Sequence, residues 1–289
     1  MNHSTFPSHA ELKLRARRAM GQGIGACCAL GLAMVAAAYA ANWFLQNSGG
    51  AFNLYFWDTA TNDIQNSFSL SVAGLFAALR MEEYGMGLSM AITPSVILTF
   101  LLVRLVATAV FAPLSIGGLS NLWTVQRGEP KRFREVFHWY IDFRKAGNAI
   151  LLQVILLMVR MVLTVVFSIP AVAVMNSLPA HMNTFSAGLW LFLLGQVIVW
   201  CVMTQFRPMR YQLARCPEQG VGNALRYGRA VLTHRHGQYL KFSLSFAIWE
   251  LLDNFSQGVF QFYLFPYQGL ANMSWLEEAE KQMRQEQMQ

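Results

Sequence analysis

Residues 222–266 read GNALRYGRAVLTHRHGQYLKFSLSFAIWELLDNFSQGVFQFYLFP. A basic arm with Arg226, Arg229 and Arg235 runs into an apolar helix that carries Glu250 and Asp253. A carboxylate in or beside hydrocarbon is costly alone and calls for a partner. The chain supplies two candidates, Arg104 and Arg160, each inside another apolar segment. Charges set singly into long apolar runs point to an all-α fold, a polytopic membrane helix bundle.

The composition agrees. The chain is 55% hydrophobic and only 13% charged, against roughly 25% charged in an average soluble domain. A soluble core of this size needs far more polar surface to cover it. The four cysteines, Cys27, Cys28, Cys201 and Cys216, form no CxxC pair and no zinc set. They read as inert thiols.

About six spans are predicted, at 24–45, 94–112, 149–174, 187–206, 239–252 and 258–275. The longer runs, of 18 to 26 residues, are close to the roughly 20 that cross about 30 Å of hydrocarbon at 1.5 Å per residue. Only 239–252 is short. Between the spans lie a basic interfacial helix at 9–20 and an outer loop with a short surface helix at 46–90. A cytoplasmic amphipathic helix falls at 126–148, a basic connector at 207–238 and a polar tail at 276–289. Pro94 stands at a helix start, and Pro113 is expected to break or kink span 2. The apolar run with Ala38-Tyr39-Ala40 has the look of a cleaved leader, yet its basic head is long and more spans follow. It is read as a retained first span.

Orientation follows from Lys and Arg. The amino end and the 126–148 and 207–238 connectors carry nearly all of them, while the two opposite loops carry only Arg80. The positive-inside rule then places both termini in the cytoplasm, in the bacterial plasma membrane. Anionic lipid headgroups are the expected partners of the basic connectors. Basic stretches flanked by spans do not read as nucleic-acid binding.

The sequence also reads as three arm-and-hairpin units, each opening at Gly plus Gln or Asn: Gly21-Gln22, Gly147-Asn148 and Gly237-Gln238.

Three stretches carry a resemblance: 10–20 (AELKLRARRAM), 113–137 (PLSIGGLSNLWTVQRGEPKRFREVF) and 237–267 (GQYLKFSLSFAIWELLDNFSQGVFQFYLFPY). Their motifs are Pro113-Leu114 with Gly117, Gly128-Glu129-Pro130, Leu244-Ser245-Phe246 with Trp249, and Pro266-Tyr267. In that order the chain resembles the bacterial integral membrane family called domain of unknown function 975. The chain departs from the family at Pro170-Ala171 and at 232–238 (LTHRHGQ). The resemblance implies an intrinsic membrane protein and no particular reaction.

The intramembrane charges are the sharpest candidates. Counted from the cytoplasmic edge, Arg160 and Glu250 fall at similar depth, so an Arg160–Glu250 pair is expected, with Arg104 as the alternative partner. A charge at the bilayer centre costs roughly 2.5–3.5 kcal/mol on insertion scales, which pairing relieves. A structural ion pair is the plainer reading, a transport or proton-relay site the sharper one. In span 1, Gly21, Gly25, Ala29, Ala33, Ala37 and Ala41 recur every fourth residue. That stripe is expected to be a helix-packing face. Trp43, Trp57, Trp123, Trp139 and Trp275 are expected as interface anchors. No catalytic residue, metal ligand set or cofactor is assigned. No HExxH, GxSxG or GxxxxGK[ST] occurs, and His138, His234 and His236 lack further ligands nearby.

Three functions remain open. The first is a non-enzymatic membrane protein, transporter-like or envelope-support, with an intramembrane Arg/Glu pair. The second is a membrane-embedded enzyme acting on a lipid or isoprenoid. The third is a scaffold binding a partner through the small-residue stripe.

Overall fold

The structure, a computed structural model, describes residues 6–50, 94–129, 132–177, 182–255 and 259–287. These residues are all-helical apart from turns and connectors. The helices are α1 (His9–Gln22), α2 (Ile24–Gly50), α3 (Pro94–Gln126), α4 (His138–Ile141), α5 (Phe143–Ser177) and α6 (Met182–Thr204). They continue with α7 (Arg207–Arg215), α8 (Gly220–Leu232), α9 (His236–Leu244), α10 (Ala247–Phe255) and α11 (Gln261–Gln287). Residues 51–90 of the expected outer loop, with its surface helix, lie outside the described residues.

Among the described residues three helical stretches are long and apolar enough to cross a membrane: Leu105–Gln126, Phe143–Ala171 and Trp190–Arg215. A fourth arises if the bent pair His9–Gln22 and Ile24–Ala37 counts as one span. Neither α10 nor α11 is among them.

The chain divides into two compact units. The first contains Met1–Ala38, Val110–Leu152 and Gln205–Gln289. Its first helix starts on a side-chain N-cap, in which the Ser8 hydroxyl accepts from the Glu11 backbone N–H at 3.2 Å. Leu12 and Ala16, one turn apart, are both fully buried, and α1 packs along α11. The apolar face of the expected interfacial helix is therefore taken up by protein. At Gly23 the chain turns by 98° into α2. A Cβ there would sit 2.7 Å from a Val125 methyl carbon, so the turn itself is a packing site.

Helix α3 runs unbroken for 33 residues with Pro113 inside it. Residues 112–119 are buried throughout, and that enclosure holds the helix together where proline removes one hydrogen bond. The amphipathic helix expected at 126–148 is instead a broken elbow. A 3-10 turn (Phe133–Phe137) leads into the single turn of α4, and Asp142 then adopts an extended backbone. Val136 and Trp139 point inward, Trp139 lying against Gly117, while Phe137, Tyr140 and Ile141 stay exposed. Asp142 ends one helix and starts the next. Its Oδ1 accepts from the backbone N–H groups of Arg144 and Lys145, at 3.1 and 3.3 Å. Asp142→Ala is expected to destabilise the chain by loss of this cap, read as a lower unfolding midpoint at unchanged m-value.

The connector and the last two segments also differ from the expected spans. The 207–238 connector folds as α7, a 3-10 turn (Pro217–Gln219) and α8, with α7 packed on α8. The 239–252 segment is split at Ser245-Phe246 between α9 and α10. The tail is no free extension: it belongs to α11, where Trp275, Leu276 and Ala279 are buried. Trp275 meets the rings of Tyr239 and Phe6. With Trp123 and Trp139 also buried, three of the five expected interface anchors are core residues. Of the three repeat junctions, only Gly21-Gln22 ends a helix. Gly147-Asn148 lies inside α5 and Gly237-Gln238 in the first turn of α9.

The second unit contains Tyr39–Ala109 and Gln153–Thr204. Within it Ala171 and Phe192 form a small core with Leu191 beside them. The backbones of α5 and α6 approach so closely that a Cβ on Gly195 would lie 2.6 Å from the Phe167 carbonyl oxygen. Small residues permit such contact between apolar helices.

Candidate polar site around Glu250

Glu250 sits in the first turn of α10, and α7 and α11 close around it. The Arg207 guanidinium meets its carboxylate twice, Nη1 to Oε1 at 2.7 Å and Nη2 to Oε2 at 2.8 Å. This fork-to-fork arrangement is the strong, directional form of the ion pair. The Gln268 side-chain amide donates to Oε1 as well. Three helices thus converge on one carboxylate, and the two side chains of the ion pair are only 21% and 16% exposed.

The polar groups around this pair continue along the same helices. One turn after Arg207, Arg210 donates to the Ser115 hydroxyl at 2.6 Å. One turn after Gln268, Asn272 donates back to the Gln268 carbonyl at 2.8 Å and accepts from the Tyr239 hydroxyl at 2.9 Å. Trp123 donates its indole N–H to the Tyr211 carbonyl at 3.0 Å. At the hairpin's other end Asp253 is buried and accepts from the Gln261 side chain.

A second charged cluster fastens the end of α11. Arg215 pairs with Glu280 at 2.7 Å and lies over the Trp123 ring at 5.1 Å. Tyr227 donates its hydroxyl to the same carboxylate. Burial, followed by that bond to the Glu280 carboxylate, holds the Tyr227 phenol well above its ordinary range. Arg235 pairs with Glu286, and Arg15 with Glu278 and Glu11. The arginines of the amino end and of the connector meet acids on α11.

Near α1, burial and then the charges of Lys13 and Lys241 hold the His9 imidazole below its ordinary value. His9 packs edge-on against Phe242. A histidine with a lowered folded-state value favours the folded chain fully above the unfolded value of about 6.5. That contribution disappears as pH falls from there through the lowered value. His9→Phe is expected to shrink the drop in melting temperature between pH 7.5 and 5.5. An unchanged drop would place the pH dependence elsewhere.

Neither expected partner of Glu250 is seen on its carboxylate among the described residues. Arg160 belongs to the second unit, is exposed on α5 and has no ion-pair partner among the described residues. Arg104 lies within α3, its side chain outside the described residues. Arg207, counted from sequence as one more connector charge, is the residue that holds Glu250. A legible signal existed in Phe206-Arg207-Pro208. It puts a cation immediately after an apolar span, where it can fold back against the bundle.

The small-residue stripe is also displaced. A Cβ added at Gly21 or Gly25 meets nothing within 4 Å, and Ala29, Ala33 and Ala37 are half-buried. The Ala41 side chain lies outside the described residues. The packed side of α2 carries Cys27, Leu30 and Gly31, below Gly23 at the turn. A Cβ at Gly31 would come within 2.0 Å of the Phe262 carbonyl oxygen.

Among the described residues no group of three or more His, Cys, Asp and Glu side chains is placed to hold a metal ion. His236 meets the Gln205 side chain at 3.1 Å, and His234 takes a left-handed backbone, φ 62°. No family model matches the chain, and neither a curated protein nor a solved structure does.

Proposed function

We propose that this chain is a multi-pass integral membrane protein of the bacterial cytoplasmic membrane with an envelope-supporting, non-enzymatic role. It crosses the bilayer with α2, α3, α5 and α6, and both ends lie in the cytoplasm. Four crossings return the chain to its starting side, as six would, so this placement does not depend on the fate of α10 and α11. Anionic headgroups meet the basic amino end and the basic connectors. The motif resemblance to the domain of unknown function 975 supports the same class.

The observation that carries the role is the closure of Glu250 by Arg207 and Gln268. A carboxylate held by a forked guanidinium and an amide fixes three helices to one another. A transporter-like site would use the same charge as a working group. Two experiments test the reading. In intact cells an impermeant thiol reagent is expected to modify a cysteine at Asp63 and to spare one at Glu129 until the membrane is permeabilised. The reverse pattern sinks the orientation. For the role, cells lacking the protein are expected to become sensitive to osmotic and detergent stress. A variant with Glu250→Leu and Arg207→Met, once shown to fold, is expected to restore them. A folded double variant that fails to complement makes the pair a working polar site.

One observation favours a second reading, a scaffold. Gly21 and Gly25 face open space, and a small, open face on a span admits a partner helix closely.

A further inference from the structure

The last helical hairpin of the first unit carries a group of exposed apolar side chains. Helix α10 turns Ile248 (72% exposed), Trp249 and Leu252 outward, and Phe260, Phe262 and Tyr263 do the same where α11 begins. The Trp249 and Phe260 rings meet with centroids 6.5 Å apart, so the two sets form one continuous surface. The opposite side of the same two helices carries the polar groups. Glu250 is held by Arg207 and Gln268, and Asp253 is buried against Gln261. Both acids of α10 therefore point into protein, and the outward face carries no formal charge among the described residues.

Cations surround the base of this hairpin. Lys13 donates to the Ser245 carbonyl at 3.3 Å and lies over the Phe246 ring at 4.5 Å. Arg17 lies over the Tyr267 ring at 5.6 Å, and Lys241 is exposed. The helix breaks at this level, where the Ser245 and Phe246 N–H groups bond back three residues, to Phe242 and Ser243. Beyond the break α10 has nine residues. Nine residues rise about 13 Å at 1.5 Å each, close to half of a hydrocarbon core of roughly 30 Å.

We propose that α10 and the start of α11 enter the cytoplasmic leaflet as a re-entrant hairpin that does not cross, with its outward face against lipid acyl chains. The proposal rests on the membrane reading above and replaces two expected spans with one half-depth element. Three features select lipid as the occupant. The depth fits one leaflet. The cations lie at the base, where anionic headgroups would be, and are absent from the outward face. Its exposed aromatic side chains include Trp249 and Tyr263, which pair an apolar body with one polar tip, the type enriched where protein meets lipid. Irregular backbone at membrane depth is tolerated when its polar groups are satisfied by protein; at the break the Ser245 and Phe246 N–H groups bond to the Phe242 and Ser243 carbonyls, and Lys13 bonds the Ser245 carbonyl.

The test uses the full chain in nanodiscs of phosphatidylcholine and phosphatidylglycerol, with the four native cysteines replaced by alanine. An environment-sensitive fluorophore is attached at Ile248→Cys, Leu252→Cys or Val162→Cys, and quenching is read with lipids brominated at shallow or deep acyl positions. The Ile248 probe is expected to respond most to the shallow label, and the Leu252 probe to the deep one. A cysteine at Val259 is expected to stay unmodified by an impermeant reagent added outside intact cells. Modification from outside overturns the proposal in favour of full crossing. Water-like emission at both hairpin positions overturns insertion. Blue-shifted but unquenched emission means that protein covers the face, and overturns it too. The Val162 probe on α5 separates the two failures. If it is not quenched by the deep label, the membrane reading itself fails. Should the cysteine-free chain not fold, the unmodified protein is exposed to a photoactivatable acyl-chain probe. Adducts on the peptide containing α10 are expected, and their absence with adducts present on α5 overturns the proposal.

Discussion

Glu250→Ala lowers the unfolding free energy of the chain by about 3 kcal/mol, because it removes the carboxylate onto which the largely buried Arg207 guanidinium forks. The effect sits at the low end for a broken buried pair because both partners keep some exposure, 21% and 16%. Arg207→Met strands the carboxylate and costs a similar amount. Removing both leaves no orphaned charge. The double variant is therefore expected to lose about 2 kcal/mol less than the sum of the single changes. Unfolding of the purified chain in detergent or bicelles reads these values. An additive double variant would show that the two groups do not stabilise one another. Glu250→Ala combined with Arg160→Met is expected to be additive, since Arg160 is exposed and has no ion-pair partner among the described residues. That contrast separates the pair seen in the structure from the one expected at equal depth.

Gly31→Ala is expected to destabilise by about 3 kcal/mol, the upper part of the range for overpacking. The added Cβ would stand 2.0 Å from the Phe262 carbonyl oxygen. Backbone cannot swing away as a side chain can, so either α2 or the start of α11 must move. Gly25→Ala reverses the sign. It meets open space and gains about 0.5–1 kcal/mol from helix propensity. Thermal unfolding of the two variants side by side decides between the two small-residue faces of α2. Equal losses would mean that both faces are packed.

Much of the local structure was legible in the sequence. Long apolar runs become helices because their backbone groups must be satisfied within the segment. Leu12 and Ala16 stand four residues apart, so helical spacing alone puts them on one face of α1. The class, all-helical with several membrane-length helices, follows from the same local physics. The Glu250 site was legible in part: the need for a cationic partner could be read, and the identity of that partner could not. Counting depth along a straight helix matched Glu250 to Arg160. The break at Ser245-Phe246 makes that count meaningless.

The two faces of α2 show the limit most directly. On α2, Gly25 and Ala29 form one stripe of small residues, and Cys27 and Gly31 form another. They are offset by two residues, about 200° around a helix of 3.6 residues per turn, so they lie on opposite sides. Both are small enough to pack, and composition cannot choose between them. The choice is made by the 98° turn at Gly23 and by where Phe262 arrives from the far end of the chain. In the same way, the acids of the tail could be read as a solvated helix until α1, α7 and α8 brought Arg15, Arg215 and Tyr227 to them. The sequence by itself determined which segments are helical and apolar, and where positive charge accumulates, because spacing and hydropathy are local properties. The tertiary structure alone decided which face packs, which cation meets Glu250 and which tryptophans are core. Those outcomes depend on contacts between residues distant in sequence, from 43 positions for Arg207 and Glu250 to more than two hundred for Gly31 and Phe262, and on helix breaks that set their geometry.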